Sequence, residues 1–331
     1  MNEYRVTIKD IAEQLGVSTA TVSNVIHGKT KKISDETVKR VQALLEEKKY
    51  IPSMAGILLA QNNSKIIGVV INDHPKYEGR VLEDAFVSTS LNSLSREIEA
   101  EDYFMMVKVE DDWNEIIRFA SMWNMEGLIL IGFCEQDYQK LRENMRIPFV
   151  VYDGYMLKEK RLCNLAIDHH DGGKQMGAHF RELGHQKCLC VADNNICMDK
   201  ERMDGFEEEL KGEVKRLIVP MTKEERLNFY EEHLEEMLGY TAVFAVSDFY
   251  AVELMQFFQK HNVDVPGKIS IAGFDDNPIC ESVHPMLTTI KQDGKERARL
   301  ALEMLQKLKN GEEEGKTINL PVSLVVRNST K

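Results

Sequence analysis

VTIKDIAEQLGVSTATVSNVIHGKTKKISDETVKRVQALLEEKKYIPSMAGILLA, residues 6–60, is the stretch on which the reading of this 331-residue chain turns. Ile8, Ile11, Ala12 and Leu15 recur at the spacing of one helix face. Thr7 supplies a capping oxygen ahead of them, Asp10 suits the first turn, and Gly16 can end the helix without a Cβ penalty. Ser18 is a second N-cap, and Val22, Val25 and Ile26 form a second apolar face. Two short helices around Gly16-Val17-Ser18 make a helix-turn-helix. A third helix begins at Ser34, with Asp35 and Glu36 at the positive end of its dipole and Val38, Val41, Leu44 and Leu45 facing inward. It ends at Lys48-Lys49. The second helix leaves Thr19, Ala20, Thr21, Ser23 and Asn24 outward, small or uncharged side chains able to approach base edges and phosphates. Spacing alone predicts a three-helix unit and leaves DNA contact and a purely structural bundle equally open.

Beyond Pro52, residues 53–60 read as a short, weak helix, because Gly56 lowers helix stability, and residues 61–64 as a polar linker. From Ile66 the pattern changes. Short apolar runs at 66–71, 103–109, 127–131, 149–152, 188–192, 215–219, 242–246 and 269–273 alternate with helical stretches at 116–123, 172–183, 202–211, 224–238 and 249–261. Continuous apolar strands separated by helices predict parallel sheets covered on both faces, and so many units predict two lobes. Ligands of such folds bind beyond the carboxyl ends of the strands. Asp153, Asn194, Asn195, Asp248, Asp275 and Asp276 follow strands in this way. Converging carboxylates suit hydroxyl-rich ligands, with Arg202 of Arg202-x-x-Gly205-Phe206 as the expected cation.

The composition, 43% hydrophobic and 29% charged, is that of a globular protein. The net charge of −12 is unevenly spread. Residues 1–60 hold nine Lys/Arg against seven Asp/Glu, so the remainder carries −14. A mildly basic head on an acidic body can meet phosphate at one end only. No apolar run approaches a membrane span, and the polar N-terminus has no signal core, so a cytoplasmic chain is expected. The six cysteines, Cys134, Cys163, Cys188, Cys190, Cys197 and Cys280, form no paired zinc motif and are expected to be free thiols. Asp168-His169-His170-Asp171 invites a metal reading, but adjacent side chains rarely aim at one ion. No nucleophile elbow and no phosphate loop is present. No cofactor, no metal and no catalytic residue is expected, and an enzyme or a solute-binding protein is disfavoured.

The whole of residues 6–60, with its D-I-A, G-V-S, T-V-S and Y-x-P landmarks, resembles the DNA-binding head of the LacI/GalR family of bacterial repressors. IDHHDGGKQMGAHFRELGH, RMDGF, AVFAVSDFYAVELM, VPGKISIAGFDD, HPMLTTIKQ and LPVSLVVRNST resemble segments of the family's body, in the family's order. The resemblance implies a small all-α helix-turn-helix head plus an α/β body of two lobes with parallel sheets, periplasmic-binding-protein-like. It implies Thr19, Ala20 and Asn24 at base edges, Thr7, Ser18, Thr21 and Ser23 at phosphates, and Leu59 as a hinge-helix wedge in the minor groove. It implies Asp153, Arg202, Ser247 and Asp275 at the effector. Asn24 departs from the arginine or histidine of some members and favours adenine over guanine. Ser247 replaces the family's usual asparagine, and residues 72–79 also depart from the pattern.

The expected organisation is a head at 1–50, a hinge helix and linker at 51–64, and an effector-binding and dimerisation domain at 65–331. Its first lobe is expected at 65–163 and 292–321, and its second at 164–291 and 322–331. The expected function is a homodimeric transcription regulator, a repressor, that reads near-palindromic operator DNA under control of a carbohydrate effector, with no membrane partner.

Overall fold

The computed structural model describes residues 6–52, 64–133, 144–154, 162–312 and 315–331. The chain divides into two compact units, Met1–Ser64 and Lys65–Lys331. The first holds α1 (Ile8–Leu15), α2 (Thr19–Ile26) and α3 (Asp35–Glu47). Each starts at a hydroxyl. Thr7 and Asp10 close a reciprocal capping box, Ser18 accepts from the Thr21 amide, and Ser34 accepts from the Thr37 amide. Gly16, at φ 65°, ends α1 in a conformation that costs any other residue. Ile11, Ala12, Val22, Val25, Val41 and Leu44 form the core of this unit. Leu59 lies outside the described residues.

The second unit contains two parallel sheets. In the first, β1 (Ile66–Ile71), β2 (Phe104–Val109), β3 (Gly127–Ile131), β4 (Phe149–Tyr152), β5 (Leu162–Ile167) and β11 (Thr317–Leu320) lie in the order β11-β5-β4-β3-β1-β2. In the second, β6 (Lys187–Ala192), β7 (Glu213–Ile218), β8 (Ala242–Ala245) and β9 (Ser270–Ala272) lie in the order β7-β6-β8-β9. All paired strands within each sheet run parallel. The runs IIGVVI, GLILI, FVVY and AVFA are buried along their whole length, as strands covered on both faces must be. Helices α4 (Ala85–Ala100) and α5 (Trp113–Met122) belong to the first lobe, with α11 (Gly294–Asn310). Helices α6 (His169–Glu182), α7 (Cys197–Leu210), α8 (Lys223–Met237), α9 (Asp248–Lys260) and α10 (Ile279–Ser282) belong to the second.

Several elements lie where the sequence marks none. Strand β5 carries a polar Asn164 in its middle, which breaks the apolar run. That side chain accepts from the Gly154 amide at 2.7 Å and anchors the loop after β4, while the Asn164 backbone stays paired with β4 and β11. Helices α4 and α11 also carry apolar stripes, Val87, Leu91, Leu94 and Ile98 in the one and Ala298, Ala301, Leu302 and Leu305 in the other, set among Ser, Thr and Asn or among charged residues. The expected lobe boundary at residue 163 falls inside β5. The first crossing follows Ile167, because β5 pairs with β4 and β11 in the first sheet. The second crossing runs through β10 (Thr289–Lys291), and the third through β12 (Ser323–Val325). These two strands pair antiparallel, which laces two of the three crossings together.

One close contact positions the site. A Cβ on Gly173 would stand 2.1 Å from the Arg202 carbonyl, and one on Gly205 would stand 2.0 Å from the His170 carbonyl. Helices α6 and α7 therefore meet backbone to backbone. His169, the first residue of α6, is held against Arg202 on α7.

Candidate functional site

On the head, Ser18, Thr19, Ala20 and Asn24 are exposed, Thr21 and Ser23 are half-buried, and Val22 and Val25 are buried. One helix thus presents an apolar face to the core and a short polar face to solvent. Thr7 and Lys9 at the start of α1 border a shallow depression shared with Thr19, Ala20 and Ser23 of α2. Four of the expected contact residues, Thr7, Thr19, Ala20 and Ser23, are therefore gathered around one feature. Ser18 and Thr21 bond each other at 2.9 Å at the N-terminus of α2, where backbone amides favour an anion. Asn24 stands one turn further along.

In the body, a cavity of about 700 Å³ lies between the two lobes, and Asp153, Arg202, Ser247 and Asp275 all line it. Asp153 leaves β4 at φ 55°, Cys197 opens α7 at φ 50°, and Asp275 leaves β9 at φ 121°. Left-handed backbone at non-glycine residues is costly, and here it clusters around one cavity.

The floor is a ring of six side chains that spans both lobes. Arg297 of α11 pairs with Asp153 Oδ2 at 2.7 Å. Asp153 Oδ1 meets His169 Nε2 at 3.0 Å. Arg202 Nε donates to His169 Nδ1 at 3.1 Å, which leaves Nε2 as the proton-bearing nitrogen of a neutral ring. Arg202 Nη2 stands 3.7 Å from Asp275 Oδ1, within reach of its charge but too long for a hydrogen bond. Gln292 Nε2 donates to Asp275 Oδ1, and Arg297 Nη1 donates to Gln292 Oε1 at 3.0 Å, which closes the circuit. Arg202 also donates to the Val246 carbonyl and stacks over Phe274 at 3.8 Å.

The electrostatics follow from burial and pairing. Burial would raise the Asp153 carboxyl, but Arg297 and His169 outweigh it and hold the group well below the usual range. Burial lowers His169, and the neighbouring Arg202 adds to this against Asp153, so the ring stays neutral. Burial drives Asp275 up to about 8 against the pull of Arg202. Beyond this ring, Asn194 donates to both Asp193, at 2.6 Å, and Asp199, at 2.7 Å, while Tyr250 donates to Asp193 at 2.7 Å. Burial and the adjacent Asp193 raise Asp199 to about 7.

The structure sorts the remaining sequence candidates. Asp248 lines the cavity but spends its oxygens on Thr289, at 2.6 Å, and on the Asn277 amide, at 2.9 Å. Asp276 pairs with Arg327 at 2.7 Å, and Asn195 accepts from Arg216 at 2.8 Å, so both are structural. The run at 168–171 diverges: Asp168 caps α6, His169 joins the ring, His170 pairs with Glu208, and Asp171 accepts from Gln175. His169, Arg297, Gln292 and Tyr152 were not among the expected site residues. Two signals were available in the sequence. His169 opens a helix directly after a strand, and Arg297 interrupts the small and apolar side of α11.

A helix-turn-helix unit is joined in one chain to a two-lobed, cleft-bearing α/β body, the organisation of a regulatory protein. The model of bacterial regulatory proteins of the lacI family matches residues 7–53, and that of a periplasmic binding protein-like domain matches residues 178–330. The HTH-type transcriptional regulator MalR of Clostridium butyricum is 28% identical over 97% of this chain and 98% of its own length. The HTH-type transcriptional repressor PurR of Aliivibrio fischeri is 26% identical over 98% of each. Among solved structures, the lac repressor dimer bound to operator and an anti-inducer superposes with a TM-score of 0.82 at 25% identity, over 98% of this chain and 99% of that one. The regulator CelR in complex with cellobiose superposes with a TM-score of 0.70 at 21% identity, over 98% of this chain and 100% of that one. Residues 7–53 are thus a lacI-family head and residues 178–330 a periplasmic-binding-protein-like domain, and the relatives that match over nearly the whole chain are transcriptional regulators, not enzymes. Among the described residues, no helix is long and apolar enough to cross a membrane.

Proposed function

We propose that the protein is a transcription repressor that binds near-palindromic operator DNA as a homodimer and responds to a sugar or sugar derivative held between its lobes. The single observation that carries the effector half is the cavity lined by Asp153, Arg202, Ser247 and Asp275 at the carboxyl ends of β4, β8 and β9. Carboxylates and a guanidinium gathered there can accept from and donate to several hydroxyls at once. In the head, Thr19, Ala20 and Asn24 read base edges, with Asn24 favouring adenine, while Thr7, Ser18, Thr21 and Ser23 hold phosphates. Leu59 of a hinge segment at 51–64 wedges the central minor groove.

The ring of Arg297, Asp153, His169 and Arg202 gives the effector its leverage. A ligand that bonds Arg202 pulls on a chain of contacts ending in the first lobe, so it meets the open and closed bodies with different affinity. That difference is all the coupling needs. The experiment is fluorescence anisotropy with palindromic fragments from the gene's own upstream region, titrated with salt and then with a panel of sugars, sugar phosphates and nucleosides. The expected result is a steep salt slope, as phosphate contacts require, and a change in operator affinity with one member of the sugar classes. Binding that ignores fragment sequence at every salt concentration removes the reading.

A further inference from the structure

Residues 72–79 depart from the family's pattern, and no member of the ring belongs to them. The turn they form is built on the first lobe. Asn72 donates to the Gly132 carbonyl at 2.8 Å. His74 caps a single 3-10 turn, Pro75–Tyr77, and the chain then reverses through left-handed Glu78 and Gly79, at φ 49° and 76°. Tyr77 packs against the apolar core, and the Lys76 ammonium lies over its ring at 4.9 Å.

The charges at 76 and 78 both meet the second lobe. Glu78 Oε2 accepts from the backbone amide of Lys223, the first residue of α8, at 3.3 Å. That helix has no side-chain cap of its own, because the Thr222 hydroxyl donates to Glu225 instead. A carboxylate from the opposite lobe thus serves an orphan amide at the positive end of a helix of 15 residues. Lys76 lines the same cavity as Asp193 and Asp199, which follow β6 and share the Asn194 side-chain amide. Burial works against the Lys76 ammonium, but Tyr77, Asp193 and Asp199 outweigh it and hold its proton firmly. Burial would likewise raise Asp193, but Lys76 and the Tyr250 hydroxyl keep it below its usual range. Glu78 and Lys223 are both exposed, so this contact sits where water can compete for it and the turn can let go.

We infer that residues 74–80 are a strap that holds the cleft closed without a ligand, with Glu78 docked on the start of α8 and Lys76 facing Asp193 and Asp199. Closure is then part of the fold, and anything entering the cleft must wait for the strap to undock. That last step rests on the effector reading above; the strap itself does not.

The test is hydrogen exchange, read by mass spectrometry, on the ligand-free full chain and on Glu78→Ala, Glu78→Gln and Lys76→Met. Exchange of a protected amide follows the population of the open form. In Glu78→Ala, peptides from the strap, from residues 193–199 and from the start of α8 should all exchange about three- to tenfold faster, while α3 and β3 keep their wild-type rates. Lys76→Met keeps the stem over Tyr77 and removes the ammonium, and it should act on the same three segments. Glu78→Gln keeps an acceptor for the Lys223 amide and should fall between the wild type and the alanine variant. If Glu78→Ala speeds exchange at the start of α8 alone, Glu78 is a local helix cap and the inference is overturned. Exchange at 193–199 that neither Glu78→Ala nor Lys76→Met changes overturns it as well. No ligand is present, so neither outcome touches the carbohydrate reading, which the sugar panel decides separately.

Discussion

In the head, Thr7, Ser18 and Ser34 each bond a group three residues further along the chain, and every one of these bonds is exposed to water. In the floor of the body's cleft, Asp153 bonds His169 sixteen residues away, His169 meets Arg202 thirty-three residues on, and Arg297 reaches the Leu165 carbonyl across 132 residues, all of them buried. The head can lose one polar contact to water at little cost. The cleft floor cannot, because each member of its ring is the compensation for another buried charge. The difference has a functional sense. A DNA-reading face needs polar groups free to exchange water for phosphate and base edges, whereas a cleft that couples two lobes needs polar groups that act as one.

The largest effect tests that interdependence directly. Arg297→Leu keeps a long apolar stem in α11 but leaves Asp153 buried beside a neutral His169. The body is expected to lose about 3–5 kcal/mol, read from the shift of the urea midpoint. A loss below about 1 kcal/mol would mean that Asp153 is relieved by water, and the contrast with the head would collapse. Next in size is Gly205→Ala. Its Cβ would stand 2.0 Å from the His170 carbonyl, so α6 and α7 must part and carry His169 away from Arg202. Overpacking of this kind costs about 1–3 kcal/mol. The imidazole signals of His169 should change with it, and unchanged signals would separate the helix contact from the ring.

Asp275→Asn has the opposite sign. The native carboxyl titrates near 8, because burial outweighs Arg202, while in the unfolded chain it titrates near 4. Between those values the native state binds more protons than the unfolded one, so stability falls as pH rises through this window. The asparagine variant lacks that loss and still accepts from Gln292. It should match the wild type near pH 4 and exceed it at pH 8 by about 1–2 kcal/mol, the gain being held down by the partner Arg202 loses. A difference between the two proteins that does not grow from pH 4 to pH 8 would place the proton elsewhere in the ring.

How far each region can be read in one dimension follows from the same contrast. The caps at Thr7, Ser18 and Ser34, the C-cap at Gly16 and the outward Thr19, Ala20 and Asn24 all rest on contacts within four residues, so the sequence of the head displays them. In the body, the parallel strands were visible as apolar runs; Asp153 and Asp275 were legible because strand ends converge in such folds, Arg202 as the cation expected at a helix start, and Ser247 only through the family resemblance. His169 was set aside, because a histidine pair in a run of acids looks like a metal motif until α6 and α7 are seen to touch. Arg297 was missed altogether: its ionic partner Asp153 is far away in the chain, and the neighbouring Gln292 gives no charge signal. Tyr152 looked like the end of a buried strand, and its place on the cavity is a property of the packed state alone.

The smallest effect sharpens the comparison from the side of the head. In Ser18→Ala, the Thr21 amide and hydroxyl both lose a partner, at 3.0 Å and 2.9 Å. Both are near solvent, so the cost is that of an N-cap, about 1 kcal/mol. It should appear only in the melting of the head, followed by helical circular dichroism of a fragment ending at residue 64, the boundary of that compact unit. Thr21→Val on the same fragment removes the hydroxyl and keeps the cap, so it should cost less. If Ser18→Ala instead cost as much as Arg297→Leu, the exposed bonds of the head would be as interdependent as the buried ring. Local legibility in the sequence would then be no guide to how a polar contact is stabilised.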